Sequence, residues 1–276
     1  MPYARSTSPI VPSRSRHLSP RRPRCGLCGS TGLLLALALL AAAPLSAETR
    51  SQAAPEGRPA VGPHINSPFQ GADFGRWVQA FEHTGREVFD LRFRIVQALG
   101  LQRGMAVADI GAGTGLFTLL FARALGETGR VYAVEVSQGF IDGILARTRD
   151  YHVNNVIGVL ATQTETGLGP GSVDLAFLCD TYHHLEHPKE TLASIAQALR
   201  PGGELVVIDY RRVPGISSPW VLEHVRAGEA QAIEEIVAAG FHYLGGEDFL
   251  RENWFGRFRK PHPPADKEAQ DRRGGG

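Results

Sequence analysis

The stretch VADIGAGTG, residues 107–115, decides how this chain is read. A short apolar run ends in Asp109, and glycines follow at alternate positions (Gly111, Gly113, Gly115). The helix-forming LFTLLFARAL begins directly afterwards. A strand that turns sharply into a helix puts the turn where α/β sheets hold ligands, at the carboxyl end of the strand. Glycine suits such a turn because the backbone must bend tightly and lie against a ligand, where a Cβ would intrude.

Outward from this turn, helix-like and strand-like stretches alternate. Upstream, Val88, Leu91, Ile95 and Leu99 recur at helical spacing and Gly100 marks the stop. Downstream, the pattern predicts helices over about 116–125, 140–149 and 188–199, and strands over 130–135, 156–160, 173–179 and 204–210. A helical stretch runs from Pro219 to Ala239 with a break near Gly228, and two closing strands are expected at 241–247 and 254–258. Such alternation implies right-handed crossovers. The expected fold is therefore α/β and doubly wound, a seven-stranded, mostly parallel sheet with an antiparallel edge.

Glycine spacing narrows the ligand. A dinucleotide fingerprint reads G-x-G-x-x-G, whereas here Gly115 comes one position early and Leu116 stands in its place. Asp109 suits a cationic ammonium and would repel a pyrophosphate. Glu135, at the end of the second strand, is placed to accept ribose hydroxyls. The expected ligand is a nucleoside that carries a positive charge.

These features give the sequence its resemblance to the class I S-adenosylmethionine-dependent methyltransferases. The carrying residues are the D-x-G-x-G-x-G run from Asp109 to Gly115, Glu135, SVDLAF at 172–177 and LRPGGELVVIDY at 199–210, so the resemblance covers about 91–210. It implies a Rossmann-like methyltransferase fold with S-adenosyl-L-methionine as cofactor. Gly111, Gly113 and Gly115 would lie against its methionine part, Asp109 near its amino group and Glu135 on its ribose. Many relatives carry an acid after the third strand for the adenine amino group; here ATQTETG, residues 161–167, offers Gln163 or Glu165.

CDTYHHLEHP, residues 179–188, falls at the end of the fourth strand, where similar methyltransferases often carry a His-His-Leu-like sequence. Asp180 and His183 are the candidate catalytic residues, with Tyr182 the alternative to His183 beside the crevice. His184 is expected to be structural and His187 to sit in a solvated loop. No metal site is expected: a metal would take His183 or His184 with His187, yet consecutive residues 183 and 184 leaving a strand point to opposite sides. Catalytic zinc needs three convergent ligands. A magnesium site pairing Asp180 with Asp209, as in the catechol-type subgroup, is likewise not expected.

The acceptor should be covered by the pieces after strands four and five and by the N-terminal helix. These offer aromatic faces (Phe81, Tyr182, Trp220, Trp254) and polar groups (Arg86, His183, His224, Arg226, Asn253), a mixture suited to a small or amphipathic organic acceptor methylated at oxygen, nitrogen or carbon. Two other classes stand beside this one. A non-catalytic S-adenosylmethionine-binding module would keep the same cofactor half, and an NAD-dependent oxidoreductase is disfavoured by the glycine spacing.

The first 47 residues differ from the rest, with six arginines, no acid and the apolar run GLLLALALLAAA at 32–43. This reads as a signal segment that exports the protein, with Leu45-Ser46-Ala47 as the cleavage site and no membrane span retained after processing. A membrane anchor, an organellar transit peptide, or a cytoplasmic protein with a misassigned start are the alternatives. Residues 48–68 read as a linker, 69–259 as the methyltransferase domain and 260–276 as a disordered tail. Losing six arginines from a net charge of +1 leaves about −5, a poor balance for nucleic-acid binding. It also leaves Cys179 as the single cysteine, which cannot form an intrachain disulfide.

Overall fold

The computed structural model describes residues 59–62, 65–69 and 73–262. The expected leader, the linker up to residue 58 and the tail from 263 lie outside the described residues. Seven strands form one sheet: β1 (Ala106–Ile110), β2 (Arg130–Glu135), β3 (Val156–Leu160), β4 (Val173–Cys179), β5 (Leu199–Tyr210), β6 (His242–Glu247) and β7 (Asn253–Arg259). Their order is β3-β2-β1-β4-β5-β7-β6. The pairs from β3 to β5 are parallel, while β7 runs antiparallel to both β5 and β6. The reversed strand thus makes the antiparallel pair at one edge, with β6 outermost.

Among the described residues, eight helices connect and cover the strands: α1 (Phe74–Phe81), α2 (Glu87–Asp90), α3 (Arg92–Leu99), α4 (Leu116–Leu125), α5 (Gln138–Asp150), α6 (Pro188–Ala198), α7 (Pro219–His224) and α8 (Glu229–Ala238). Strand periodicity of two splits the core into two layers. Ala106, Ala108 and Ile110 of β1 pack toward Leu192 and Ile195 of α6 and Ile236 of α8. Val107, between them, packs on the opposite face with Ile95 and Leu99 of α3 and Phe121 and Leu125 of α4.

Local chemistry accounts for most boundaries. Gly100 ends α3 in the left-handed conformation at φ +65°, a common helix terminator that a Cβ disfavours. Pro188 and Pro219 each open a helix, where a missing N–H costs nothing. The break expected near Gly228 separates α7 from α8, with Gly228 itself as N-cap. The expected helix through Val88 and Leu99 is divided at Leu91 into α2 and α3.

Two boundaries move. Helix α1 precedes the expected helix through Val88 and Leu99 and is opened by Asp73, whose carboxylate accepts from the Arg76 amide at 3.2 Å. The expected linker also ends earlier than residue 68. Val61 and Asn66 are buried, and Ala60 N donates to Glu186 O at 2.6 Å, so this segment packs on the domain before Ser67–Phe69 form a single 3-10 turn.

Candidate active site

Parallel strands that end together at the centre of the sheet leave a crevice beyond their carboxyl ends. Here that crevice is a cavity of about 1040 Å³, lined at one end by the glycine loop and Glu135 and at the other by His183, His184, Tyr210, Trp220 and His224.

The glycine loop is fixed by backbone geometry. Gly111, Gly113 and Gly115 all have positive φ, at +68°, +56° and +78°. At Gly111 a Cβ would also lie 2.4 Å from Thr181 Cγ2. Gly111 N donates to Val134 O at 2.8 Å, tying the loop to β2, and Gly115 caps α4.

Two carboxylates bracket this loop. Asp109, 3% exposed, accepts a 2.6 Å hydrogen bond from Thr118 Oγ1. Glu135, 8% exposed, accepts from Gly113 N at 2.7 Å and from Val136 N at 3.1 Å. Burial pushes both carboxyls up to about 7, against the opposing pull of their hydrogen bonds, and the Glu135 charge adds to the rise at Asp109. A site that holds two nearly water-free carboxylates without a cation favours a positively charged ligand. Gln163 and Glu165 both line the cavity beyond Glu135, so either side chain is within the site.

The other end is built from distant segments. Asp180 leaves β4 with φ +49°, unusual for a residue that is not glycine. Both its oxygens are engaged, Oδ2 by Arg86 Nη2 and Oδ1 by Asn253 Nδ2, each at 2.6 Å. Burial raises the Asp180 carboxyl above the usual range even with Arg86 against it. The magnesium alternative finds no room here, since Arg86 occupies Asp180, and Asp209 accepts from His183 and the Tyr210 amide.

His183 is 2% exposed. Its backbone N donates to Asp209 Oδ2 at 2.9 Å, and its Nδ1 lies 2.6 Å from Asp209 Oδ1. Burial opposes its charge, but the Asp209 carboxylate outweighs this and raises the imidazole above its ordinary value. His184 goes the other way, pushed down to about 2 by burial and by the neighbouring imidazoles of His183 and His224.

Several expectations for this end are corrected. Consecutive His183 and His184 do not diverge, because Tyr182–His184 form a 3-10 turn in place of a continuing strand. Their ring centroids lie 4.2 Å apart, and both line the cavity. His184 is thereby part of the site. Tyr182 turns into the core, fully buried, and its hydroxyl donates to Glu235 Oε2 at 2.7 Å. Trp254 is likewise buried in the core, and Arg226 is held by both oxygens of Glu235. Phe81, Arg86, Trp220 and His224 do line the cavity.

Sequence reasoning also missed Asn66, Phe69, Trp77, Phe140 and Tyr210, all of which line it. Phe69, Trp77 and Phe81 form a wall, with centroids 4.7 Å apart for the first pair and 5.0 Å for the second. The aromatic spacing Phe74, Trp77, Phe81 was a helical signal available in the sequence. Arg147 of α5 clamps this wall to the loop, binding both carboxylate oxygens of Glu82 and donating to Thr114 O at 2.7 Å.

Comparison with known proteins agrees with this geometry. Residues 108–207 match the family model described as a methyltransferase domain. Residues 108–207 thus carry a methyltransferase domain of the S-adenosylmethionine-dependent kind. The chain is 29% identical, over 116 residues, to a ubiquinone/menaquinone biosynthesis C-methyltransferase of Psychromonas ingrahamii, a match that covers 42% of this chain and 46% of that protein. The chain thus spans about half the length of the curated relatives it matches. The same fold occurs in a SAM-dependent methyltransferase from Aquifex aeolicus, at TM-score 0.61 and 22% identity, covering 68% of this chain and 98% of that one. It also occurs in phosphoethanolamine N-methyltransferase 2 of Haemonchus contortus, solved with S-adenosyl-L-methionine, at TM-score 0.57 and 18% identity, covering 68% of this chain and 57% of that one. S-adenosylmethionine is the cofactor of this methyltransferase domain, and the glycine loop with its two buried carboxylates fits such a cation.

Proposed function

We propose that the protein transfers a methyl group from S-adenosylmethionine to a small organic acceptor at oxygen, nitrogen or carbon. The observation that carries this reading is the polarity of one cavity, with buried carboxylates beside a glycine loop at one end and aromatic rings with imidazoles at the other. Asp109 receives the cofactor's amino group, Glu135 its ribose hydroxyls, and Gly111, Gly113 and Gly115 leave room for its methionine part. Gln163 or Glu165 faces the adenine.

The cofactor supplies a methyl group on a sulfonium, an electrophile that needs no further activation. The protein's work is therefore to align the acceptor and exclude water. Where the acceptor must lose a proton, His183 takes it at Nε2, because Nδ1 is committed to Asp209, which orients the ring. Asp180, with both oxygens engaged, acts as a positioning residue that holds Arg86 at the cavity. A carbon acceptor is supported by the name of the Psychromonas relative, a C-methyltransferase. The arginine-rich, acid-free leader supports export.

Calorimetry tests the reading: S-adenosylmethionine and S-adenosylhomocysteine should bind at one equivalent and NAD should not. Transfer of labelled methyl to a panel of phenols, quinols and amines then separates an enzyme from a binding module. Tight NAD binding would overturn the assignment. Intact mass of protein from its native host should show a chain beginning near Glu48, and a full-length soluble chain would count against export.

A further inference from the structure

Among the described residues, one group of three metal-competent side chains comes together, and it lies inside the cavity. His183, His184 and His224 each present one ligand atom, and these atoms all lie within 4.8 Å of one another. Ring centroids are 4.2 Å apart for His183 and His184, and 5.2 Å from each of these to His224.

The surrounding hydrogen bonds fix which nitrogens are available. Asp209 Oδ1 is a carboxylate oxygen 2.6 Å from His183 Nδ1, so that nitrogen carries the proton and Nε2 keeps its lone pair. His184 is set by Asn66. The Asn66 amide nitrogen donates to His184 O at 3.0 Å and to Glu186 Oε1 at 2.9 Å, which identifies Oδ1 as the atom facing His184 Nδ1 at 3.0 Å. His184 Nδ1 is therefore also a donor, and its Nε2 also keeps a lone pair. A carboxylate or amide behind Nδ1 is the arrangement that orients metal-binding imidazoles.

The remaining support is positional. Asp209 is further held by accepting from the backbone of His183 and Tyr210. His224 comes from α7, whose cap is the Ser218 side chain, and Trp220 stacks on it with centroids 4.6 Å apart and planes 18° from parallel. Two ligands thus come from one tight turn and the third from a separate helix.

We propose that His183, His184 and His224 bind a divalent transition metal, best matched by Zn2+, whose open position is reached from the acceptor end of the cavity. Three imidazoles suit zinc, cobalt or nickel, whereas magnesium and calcium take oxygen ligands. Tetrahedral zinc with bonds of ~2.0–2.1 Å places ligand nitrogens ~3.3 Å apart, so rotamer adjustment of the rings closes the site. Three protein ligands leave a fourth position for water or for an oxygen or nitrogen donor of the acceptor. That consequence rests on the methyl-transfer reading, though the metal site itself does not. In the metal-bound protein His183 is a ligand, and its proton-accepting role belongs to the metal-free form.

The test uses the full chain in a Cys25→Ser, Cys28→Ser background, which removes a competing thiol pair, after chelator dialysis. Zn2+ titrated by calorimetry should bind at one equivalent, Co2+ should give visible d–d absorption, and millimolar Mg2+ should displace neither. His224→Ala should weaken Zn2+ binding at least about tenfold, and Asp209→Asn by about 10- to 100-fold. S-adenosylmethionine titrated into the same samples reports independently on the methyltransferase assignment and on whether each variant is folded. Absence of saturable Zn2+ binding by the wild-type ligand set, or an affinity in His224→Ala and Asp209→Asn equal to that of the wild-type ligand set, would overturn the proposal.

Discussion

The two ends of one cavity are built in different ways. At the cofactor end, Asp109, the three glycines and Glu135 come from β1, β2 and the turn between β1 and α4, a single strand-helix-strand unit. At the acceptor end, Arg86, Asp180, His183, Asp209, His224 and Asn253 come from segments separated by most of the domain. The first end is held by backbone, through positive φ at the glycines and amides that donate to Glu135. The second is held by side chains that bond one another. A cofactor end made of backbone can serve many chemistries, and an acceptor end made of side chains can be respecified by single substitutions.

Substitutions should separate the two ends. The largest effect is expected at Arg86→Ala, which strands the buried Asp180 carboxylate without its cation. Breaking one partner from such a pair costs about 3–5 kcal/mol, measurable as a lowered denaturation midpoint, with methyl transfer lost. Next is Gly111→Val, where a side chain would meet Thr181 and the backbone would be strained at positive φ. About 2–4 kcal/mol of stability and all cofactor binding should go. Gly113→Val, where a Cβ meets nothing closer than 3.7 Å, should lose cofactor binding with a smaller loss of stability.

Glu135→Gln should weaken S-adenosylmethionine binding by roughly 10- to 100-fold, the worth of hydrogen bonds to a charged group. The sign of the pH effect follows from Asp109, whose carboxyl stands at about 7 without ligand. A bound ammonium favours the ionised form, so binding below this value expels a proton. Affinity should fall as pH drops below about 7 and level off above it, and calorimetry at pH 6 in buffers of different ionisation enthalpy should detect proton release. The smallest effect is expected at Trp220→Ala, which is half exposed: stability should change by less than about 0.5 kcal/mol, while KM for the acceptor rises and cofactor affinity stays constant. If Trp220→Ala weakened the cofactor as much as Glu135→Gln, the two ends would not be separable.

How much was legible in the sequence follows the same division. Asp109 through Gly115 could be read because the turn needs small residues at fixed spacing, and Glu135 because the next strand ends where the first one does. Asp180, His183 and Trp220 were found as strand-end or helix residues, but their partners were not. Asn66 looked like linker, and Asp209 was weighed only as a magnesium partner of Asp180, not as the carboxylate behind His183. His184 was assigned to structure because strand alternation was extended past Cys179. The chain instead tightens at Asp180 into a turn of about three residues per revolution, sending Tyr182 inward and both imidazoles into the cavity. Tyr182 and Trp254 were expected at the acceptor because aromatic residues near a site read as lining, yet here both fill the core.

The reversed direction of β7 has a consequence for the order in which the site can form during synthesis. Because β7 runs back along β5, pairing Asn253 with Tyr210, its first residue reaches Asp180, which lines the cavity. The preceding amides of Arg251 and Glu252, with that of Asn253, donate to the Glu87 carboxylate, latching the C-terminal segment to α2 near the start of the domain. A ribosome-bound chain that has emerged only as far as Tyr210 already holds the glycine loop, Asp109 and Glu135. Asp180 still lacks Asn253, and Glu87 still lacks its amide partners. Synthesis from the N-terminus therefore supplies every residue of the cofactor end before the last residues of the acceptor end.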